Sequence, residues 1–352
     1  MESIALNFLK KSEFIEFKAA KNDYSFFQKD YSDIRFFERQ TPNSPLSKET
    51  LKIYNGLYCD YKLNDVLDID SHFDSMHSVL KSQNHLLIRF EPQNKRRKRL
   101  LKTIPFKLGK LYYYTFDFLA HRIFSRLALT KNFYFRLSNG KNQVLSIPEV
   151  LGRVIASGFE LIDFASSDKE TYVLAIKGQR QAAKRNKSNG LLINLHRVGY
   201  LEKRVNVLKF RTMRPYSEHI QEYVFVKNGT LDGDKIINDF RITGWGKIMR
   251  KYWVDELPMI VNLLRGQIKL IGVRPLSEHK FYSYPKYLQK KRVKVKPGLL
   301  PPYYADLPKT PEEFHKSEVE YTDAYLKSPI KTDIKYFFKI IRNILLRGAR
   351  SK

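Results

Sequence analysis

Two acids stand side by side at Asp255 and Glu256, inside a segment, Phe240–Pro275, that also carries Arg241, Arg250, Arg265 and Arg274. Adjacent carboxylates among several arginines suit a phosphorylated substrate, because fixed cations can take up charge that builds on phosphate oxygens. Pro258 and the apolar run Met259–Leu264 predict a helix that starts at or just after the pair: proline is tolerated in a first turn, and acids favour the positive end of the helix dipole. That end also attracts phosphate. The competing use of an acid at such a place is N-capping, which for Asp255 taken alone is the commoner one. Upstream, Lys209 and Arg211 alternate with Phe210 and Thr212 on a predicted strand, so the two cations share one face. A phosphate contact and an ordinary solvated face are both open for them.

The elements that must hold these residues are legible in outline. Leu191–Leu195 and Val205–Phe210 read as two strands of a hairpin with a turn at Val198–Tyr200. In the N-terminal half, His85–Phe90, Phe159–Phe164 and Thr171–Ile176 read as strands. A helix is expected over Ile147–Ser157, capped by Ser146 with Glu149 three residues on and stopped at Gly158. The polar, basic stretch Lys177–Asn189 reads as a linker, which divides the chain into an N-terminal α/β domain, 1–176, and a catalytic domain, 190–352. Two amphipathic segments stand out. Leu111–Leu129 carries a polar stripe of Asp117, His121, Arg122, Ser125 and Arg126. Ile334–Leu346 sets Lys335, Lys339, Arg342 and Asn343 opposite Ile334, Phe337, Phe338, Ile341, Ile344 and Leu345. Each suits either an anionic membrane surface or packing onto a core.

Composition narrows the partners. Sixty-four Lys and Arg against 36 Asp and Glu leave a net charge of +28, which draws polyanions: nucleic acid, anionic lipid or phosphorylated substrates. No zinc-finger spacing, RNA-binding signature or helix-turn-helix pattern accompanies the basic run Lys95–Arg99, so nucleic acid is not the expected partner. The lone Cys59 excludes an internal disulfide and reads as a buried thiol. His196 and His219 lack the spacing of a metal site. The first residues do not read as a signal peptide, and no run of 18 apolar residues predicts a spanning helix. Any membrane contact is therefore expected at the surface.

An ordered series of short motifs carries a resemblance. Gly190 with Arg197–Gly199, then KFRTM at Lys209–Met213, Arg241–Gly246, Arg250, DELP at Asp255–Pro258, Asn262, Gly266, GVRP at Gly272–Pro275 and KPG at Lys296–Gly298 resemble, in sequence order, the bacterial sugar transferase family. These are the monotopic polyprenyl-phosphate sugar-1-phosphate transferases, and the likeness spans about 188–345. It implies an α/β (α+β) chain whose C-terminal phosphoglycosyl transferase-like domain bears amphipathic surface helices. The N-terminal half more faintly resembles the closing part of a degenerate Rossmann or methyltransferase-like α/β domain. It lacks a Gly-rich cofactor loop and offers no catalytic residues.

The resemblance further implies that Asp255 attacks the phosphorus bearing the sugar and that Glu256 helps to hold Mg²⁺. Lys209, Arg211, Arg241, Arg250, Arg274 and Pro275 would bind substrate. The partners implied are a nucleotide sugar, polyprenyl phosphate and an anionic membrane at the cytoplasmic face. A non-catalytic relative that binds nucleotide sugar or membrane is the alternative. Three departures mark this chain: Val273 stands where the family's Gly-Pro-Arg-Pro has its first proline, Leu300–Pro308 replaces the usual residues after Lys-Pro-Gly, and Lys177–Asn189 is polar where the family has a hydrophobic membrane helix. The first frees a backbone angle that proline would fix, and the second is placed to shape acceptor or sugar selectivity.

Overall fold

A computed structural model of the chain describes residues 36–44, 53–104, 106–113, 124, 130–179, 190–228, 230–231, 235–236 and 238–347. Most of the segment Leu111–Leu129 and of the linker lies outside the described residues. The fold is mixed α/β, and no helix among the described residues is long and apolar enough to cross a membrane. The chain divides into two compact units. One comprises Met1–Asn189 with Arg214–Lys227, the other Gly190–Met213 with Asn228–Lys352.

The first unit is built on a five-stranded sheet with strands β1 (Phe36–Arg39), β2 (Gly56–Lys62), β3 (His85–Phe90), β4 (Phe159–Ser166) and β5 (Thr171–Lys177) in the order β1-β2-β3-β5-β4. The first three run parallel, and β5 lies antiparallel between β3 and β4. Leu57, Leu86, Val173 and Leu174 are buried, as expected of strands covered on both faces. Its helices are α1 (Ile69–Val79), the basic α2 (Gln93–Thr103), α3 (Phe106–Leu111), α4 (Lys131–Ser138) and α5 (Ile147–Ala156). The Cys59 thiol is buried, and burial pushes its pKa up to about 11.

Helix α5 forms where the sequence predicts it, and Gly158 ends it at φ +92°. The capping box does not form. Ser146 holds the N-cap position without a side-chain bond, and the carboxylate of Glu149, fully buried, pairs with Arg153 one turn on. Arg153 also pairs with Asp70, and the Tyr216 hydroxyl donates to Asp70 at 2.5 Å. Tyr216 is the third residue of the segment Arg214–Lys227, whose Ile220 and Val224 are wholly buried and which runs into α6 (Gln221–Asn228). Its close approach requires Gly152: a Cβ there would meet the Tyr216 carbonyl oxygen.

The second unit opens with an antiparallel hairpin, β6 (Leu192–Val198) and β7 (Arg204–Phe210), followed after the excursion by the short pair β8 (Thr230–Leu231) and β9 (Lys235–Ile236). Then come α7 (Gly244–Lys251), a 3₁₀ turn Val254–Glu256, α8 (Met259–Leu264) and β10 (Lys269–Ile271). Helices α9 (Glu278–Tyr282) and α10 (Lys286–Arg292) lead to β11 (Gly298–Leu300), which pairs parallel with β10. The chain closes with α11 (Tyr303–Asp306), α12 (Pro311–Lys327) and α13 (Pro329–Arg347).

The core of this unit gathers Ile271, Val273, Val295, Tyr304, Tyr321, Tyr336 and Ile340. Its polar fastening is Asp333, which accepts from Lys269 and from the Tyr321 hydroxyl. Helix α13 therefore packs by Thr332, Tyr336, Ile340 and Asn343. Asn343, expected among its polar outer residues, is buried and donates to the carbonyls of Tyr304 and Ala305. Two backbone carbonyls that end the short helix α11 explain this, since buried acceptors need a donor. Ile330, Ile334, Phe338, Leu345 and Leu346 stay exposed, so the helix has a packed apolar face and a free one.

Candidate active site

The site is assembled from the hairpin, the turn after α7 and the segments that follow β10 and β11. On β7, Val205 and Val207 pack against Met259, Leu263 and Ile268, and alternation brings Lys209 to the same side. Asn262 of α8 fastens the two elements. It accepts from the Leu208 N–H at 2.9 Å and donates to the Asn206 carbonyl at 2.7 Å. Lys209 is thereby delivered to Glu256, its Nζ 2.5 Å from Oε1. Strand β7 ends at Phe210, so Arg211 does not continue on this face; its Nε donates to the Gly190 carbonyl instead.

Beyond the strand, Thr212 receives helix α7. The Thr243 hydroxyl caps that helix by accepting from Gly246 N–H at 2.9 Å and donates to the Thr212 carbonyl. A Cβ at Gly246 would lie 2.1 Å from that carbonyl oxygen, so only glycine permits the approach. At the other end of α7, Arg250 Nε donates to the Thr212 hydroxyl. The chain then reverses through Trp253 at φ +56°, a left-handed conformation that is costly for a bulky residue. It is held by the indole N–H donating to the Tyr304 hydroxyl at 3.2 Å and by edge-on ring contact.

The reversal sets the two acids in the 3₁₀ turn ahead of α8, whose N-cap position is Pro258, so neither acid occupies that position. Asp255 is 9% exposed and forms no hydrogen bond to another side chain among the described residues. Burial raises its pKa above the usual carboxylate value. Lys209 and Arg250 oppose that rise, and the Glu256 charge adds to it. Burial likewise lowers the Lys209 pKa, with Glu256 acting against the shift.

Glu256 and Lys209 line a cleft together with Arg197, Met259, Arg274, Pro275, Leu299, Tyr303 and Tyr304. Its enclosed volume is about 60 Å³, a small recess rather than a pocket that closes over a whole ligand. Arg274 is exposed and faces the cleft. The Tyr303 phenol beside it, ahead of opposing desolvation, moves its pKa further above the ordinary arginine value. Three cations against one carboxylate make the cleft an anion site.

Of the residues expected from sequence, the structure brings together Asp255, Glu256, Lys209, Arg250, Arg274 and Pro275. Arg241 is buried in a bidentate pair with Asp239, two residues away, and Arg265 is exposed at the end of α8. Arg197, Tyr303 and Tyr304 join the cleft wall without having been singled out as ligands. Arg197 sits in a quoted motif and the tyrosines in the divergent segment after KPG, which were the available signals. Among the described residues no group of three or more His, Cys, Asp or Glu could hold a metal by itself. An apolar surface flanks the acids: Trp245, Ile248 and Tyr252 along α7, Val254 and Leu257 at the turn, and Ile260 and Leu264 on α8 are all exposed, Trp245 by 75% and Leu264 by 82%.

The comparison with known proteins agrees with this geometry: the family described as bacterial sugar transferase matches residues 174–347. The C-terminal half of this chain belongs to the bacterial sugar transferase family. Among individual relatives, the galactosyl transferase CpsE of Streptococcus agalactiae is 32% identical over 165 residues, 45% of this chain and 36% of that protein. The exopolysaccharide production protein ExoY of Rhizobium meliloti is 33% identical over 93 residues, 25% of this chain and 41% of its own length. The UDP-glucose:undecaprenyl-phosphate glucose-1-phosphate transferase of Xanthomonas campestris is 28% identical over 177 residues, 46% of this chain and 34% of that protein. The matched region thus spans well under half of each of these relatives. For a bacterial sugar transferase domain, Asn262 and Gly246 are now seen to be scaffolding that places Lys209 and the acids.

Proposed function

We propose that this protein transfers a sugar-1-phosphate from a nucleotide sugar, of the UDP class, to polyprenyl phosphate at the cytoplasmic face of a membrane, and so begins a lipid-linked glycan. The observation that carries the reading is the buried Asp255, without a side-chain partner among the described residues, next to a Glu256 on the wall of a cationic cleft. The relatives named for transfer from UDP-glucose to undecaprenyl phosphate and for exopolysaccharide production support the same class.

In the first step an Asp255 carboxylate oxygen attacks the phosphorus that carries the sugar. The bond from that phosphorus to the oxygen bridging the two phosphates breaks, and the nucleoside monophosphate leaves with that oxygen and its electron pair. Arg274, Arg197 and Lys209 line the space where this charge accumulates. In the second step an oxygen of polyprenyl phosphate attacks the same phosphorus, the acyl-phosphate bond breaks, and Asp255 returns as a carboxylate. Splitting the transfer in this way gives ping-pong kinetics.

Mg²⁺ fits Glu256. One protein carboxylate completed by substrate phosphate oxygens and water is a usual donor set for this ion, and Glu256 is the acid on the cleft wall. When bound, the ion would neutralise diphosphate charge. Lys209 pairs with the same carboxylate. The exposed apolar residues of α7 and α8, with Lys247 and Lys251 beside them, support a shallow contact with an anionic bilayer on the side that receives the lipid phosphate.

The test is UMP release from a set of UDP-sugars by protein reconstituted with undecaprenyl phosphate and Mg²⁺. Release that disappears in Asp255→Asn supports the reading. Release that persists in that variant removes Asp255 as the nucleophile, and no release from any nucleotide sugar leaves a binding protein.

A further inference from the structure

Arg274 faces the cleft from a segment that lacks a constraint. Val273 precedes it where proline would fix the backbone. Val273 is buried in the core, its carbonyl accepts from Gly298 N–H at 3.0 Å, and its own N–H makes no hydrogen bond among the described residues. The Arg274 carbonyl is held instead by a side chain: Arg292, at the end of α10, donates to it through Nη2. The other arm of the same guanidinium pairs with Glu318 of α12. Both members of this pair are buried, and the guanidinium lies over the Tyr284 ring, 5.4 Å from its centroid. On the far side, Val198 N–H donates to the Leu276 carbonyl at 2.9 Å, joining the segment to β6 next to Arg197.

We infer that Arg292 and Glu318 are positioning residues for the donor diphosphate, replacing with a buried ion pair the rigidity that a proline at 273 would give to Arg274. A buried pair is a costly way to hold two helices together, since desolvation offsets much of its attraction. What this pair does beyond linking α10 and α12 is direct a charged donor at one backbone oxygen. Without that bond, the backbone of residues 273–275 is held on the Gly298 side and the β6 side but not at the Arg274 carbonyl, and the Arg274 side chain keeps its contact with Tyr303. The inference rests on the transferase reading for what Arg274 binds, and not for how Arg274 is held.

The experiment uses the full chain with Arg292→Gln and Glu318→Gln together, because removing one partner would leave a buried charge, and adds Val273→Pro to that double variant. Amide exchange of peptides covering Gly272–Leu276 is read by mass spectrometry, and the KM for the UDP-sugar in UMP release is measured alongside kcat. The expected result is faster exchange in this stretch and a KM raised by roughly tenfold or more, the scale of one misplaced charge-assisted contact, with kcat less affected. Val273→Pro then returns both towards the parent values. Unchanged exchange and KM in the folded double variant overturn the proposal, as does failure of the proline to restore either. A parent protein that releases no UMP sinks the transferase reading, while the exchange measurement still decides whether the pair holds Arg274.

Discussion

Lys209 Nζ lies 2.5 Å from Glu256 Oε1, while the adjacent Asp255 carboxylate takes no side-chain partner among the described residues. The pair therefore separates two neighbouring acids by role: one is neutralised and available for exchange with a cation, the other is left bare and partly desolvated. If Mg²⁺ competes with Lys209 for Glu256, Lys209→Gln should lower the Mg²⁺ concentration for half-maximal activity several-fold, even as it lowers kcat. A Mg²⁺ titration of UMP release checks this. An unchanged or higher requirement would place the ion elsewhere.

Asp255→Asn should reduce UMP release by about a thousandfold or more, as loss of a nucleophile does. The same change should not lower the melting temperature at neutral pH, and a modest rise is expected. The folded-state pKa of Asp255 is raised, so the group favours folding in acid and loses that contribution as pH rises through the folded value. At neutral pH its charge is a burden that asparagine removes. Thermal unfolding of the variant at neutral and acidic pH tests the sign: the gain should shrink as the pH falls.

The pH profile follows from the same two groups. A raised Asp255 pKa places the acid limb of kcat/KM above that of an ordinary aspartate, because the attacking carboxylate forms only once its proton is lost. A lowered Lys209 pKa places the basic limb below that of an ordinary lysine, where the cation facing the diphosphate disappears. Lys209→Arg should carry the basic limb upward, and Lys209→Gln should flatten it.

Gly246→Ala should destabilise the second unit by about 1–3 kcal/mol, the range for forced overpacking. The added Cβ meets the Thr212 carbonyl oxygen at 2.1 Å and would push α7 off the strand that carries Lys209. Denaturant unfolding gives the loss, and activity should fall with it. Gly244→Ala, with nothing within 4 Å of its Cβ, is the matched control.

Replacing Trp245 and Leu264 together with serine should weaken binding to vesicles containing anionic lipid at least tenfold and leave the melting temperature nearly unchanged. Both side chains are mostly exposed and contribute little to packing. Flotation against vesicles of neutral lipid separates the apolar part of the contact from the charged part.

The sequence showed the hairpin, the start of α8 and the acidic pair because each rests on a local rule: alternation, a proline at a helix start, adjacency. It was silent where position depends on distant chain. Arg211 was expected beside Lys209 by alternation, but the strand stops at Phe210 once Arg211 turns to the Gly190 carbonyl. Arg241 is the local exception: its partner is Asp239, two residues away, a pairing the spacing allowed but did not require. Asn343 looked like part of a wet helix face until the two carbonyls it satisfies came from 38 and 39 residues earlier. Tyr303 and Tyr304 reach the cleft because β11 pairs with β10, a parallel register that no short-range pattern announces.

The excursion Arg214–Lys227 has a consequence for how this protein can be divided. A catalytic half cut free at Gly190 would carry Tyr216, Ile220 and Val224 away from the first unit, in which they are buried, and strand Arg153 without the ring it lies against, 4.3 Å from its centroid. Each unit is built from two separate stretches of the chain. A version beginning at Gly190 is therefore expected to be insoluble unless the excursion is shortened too.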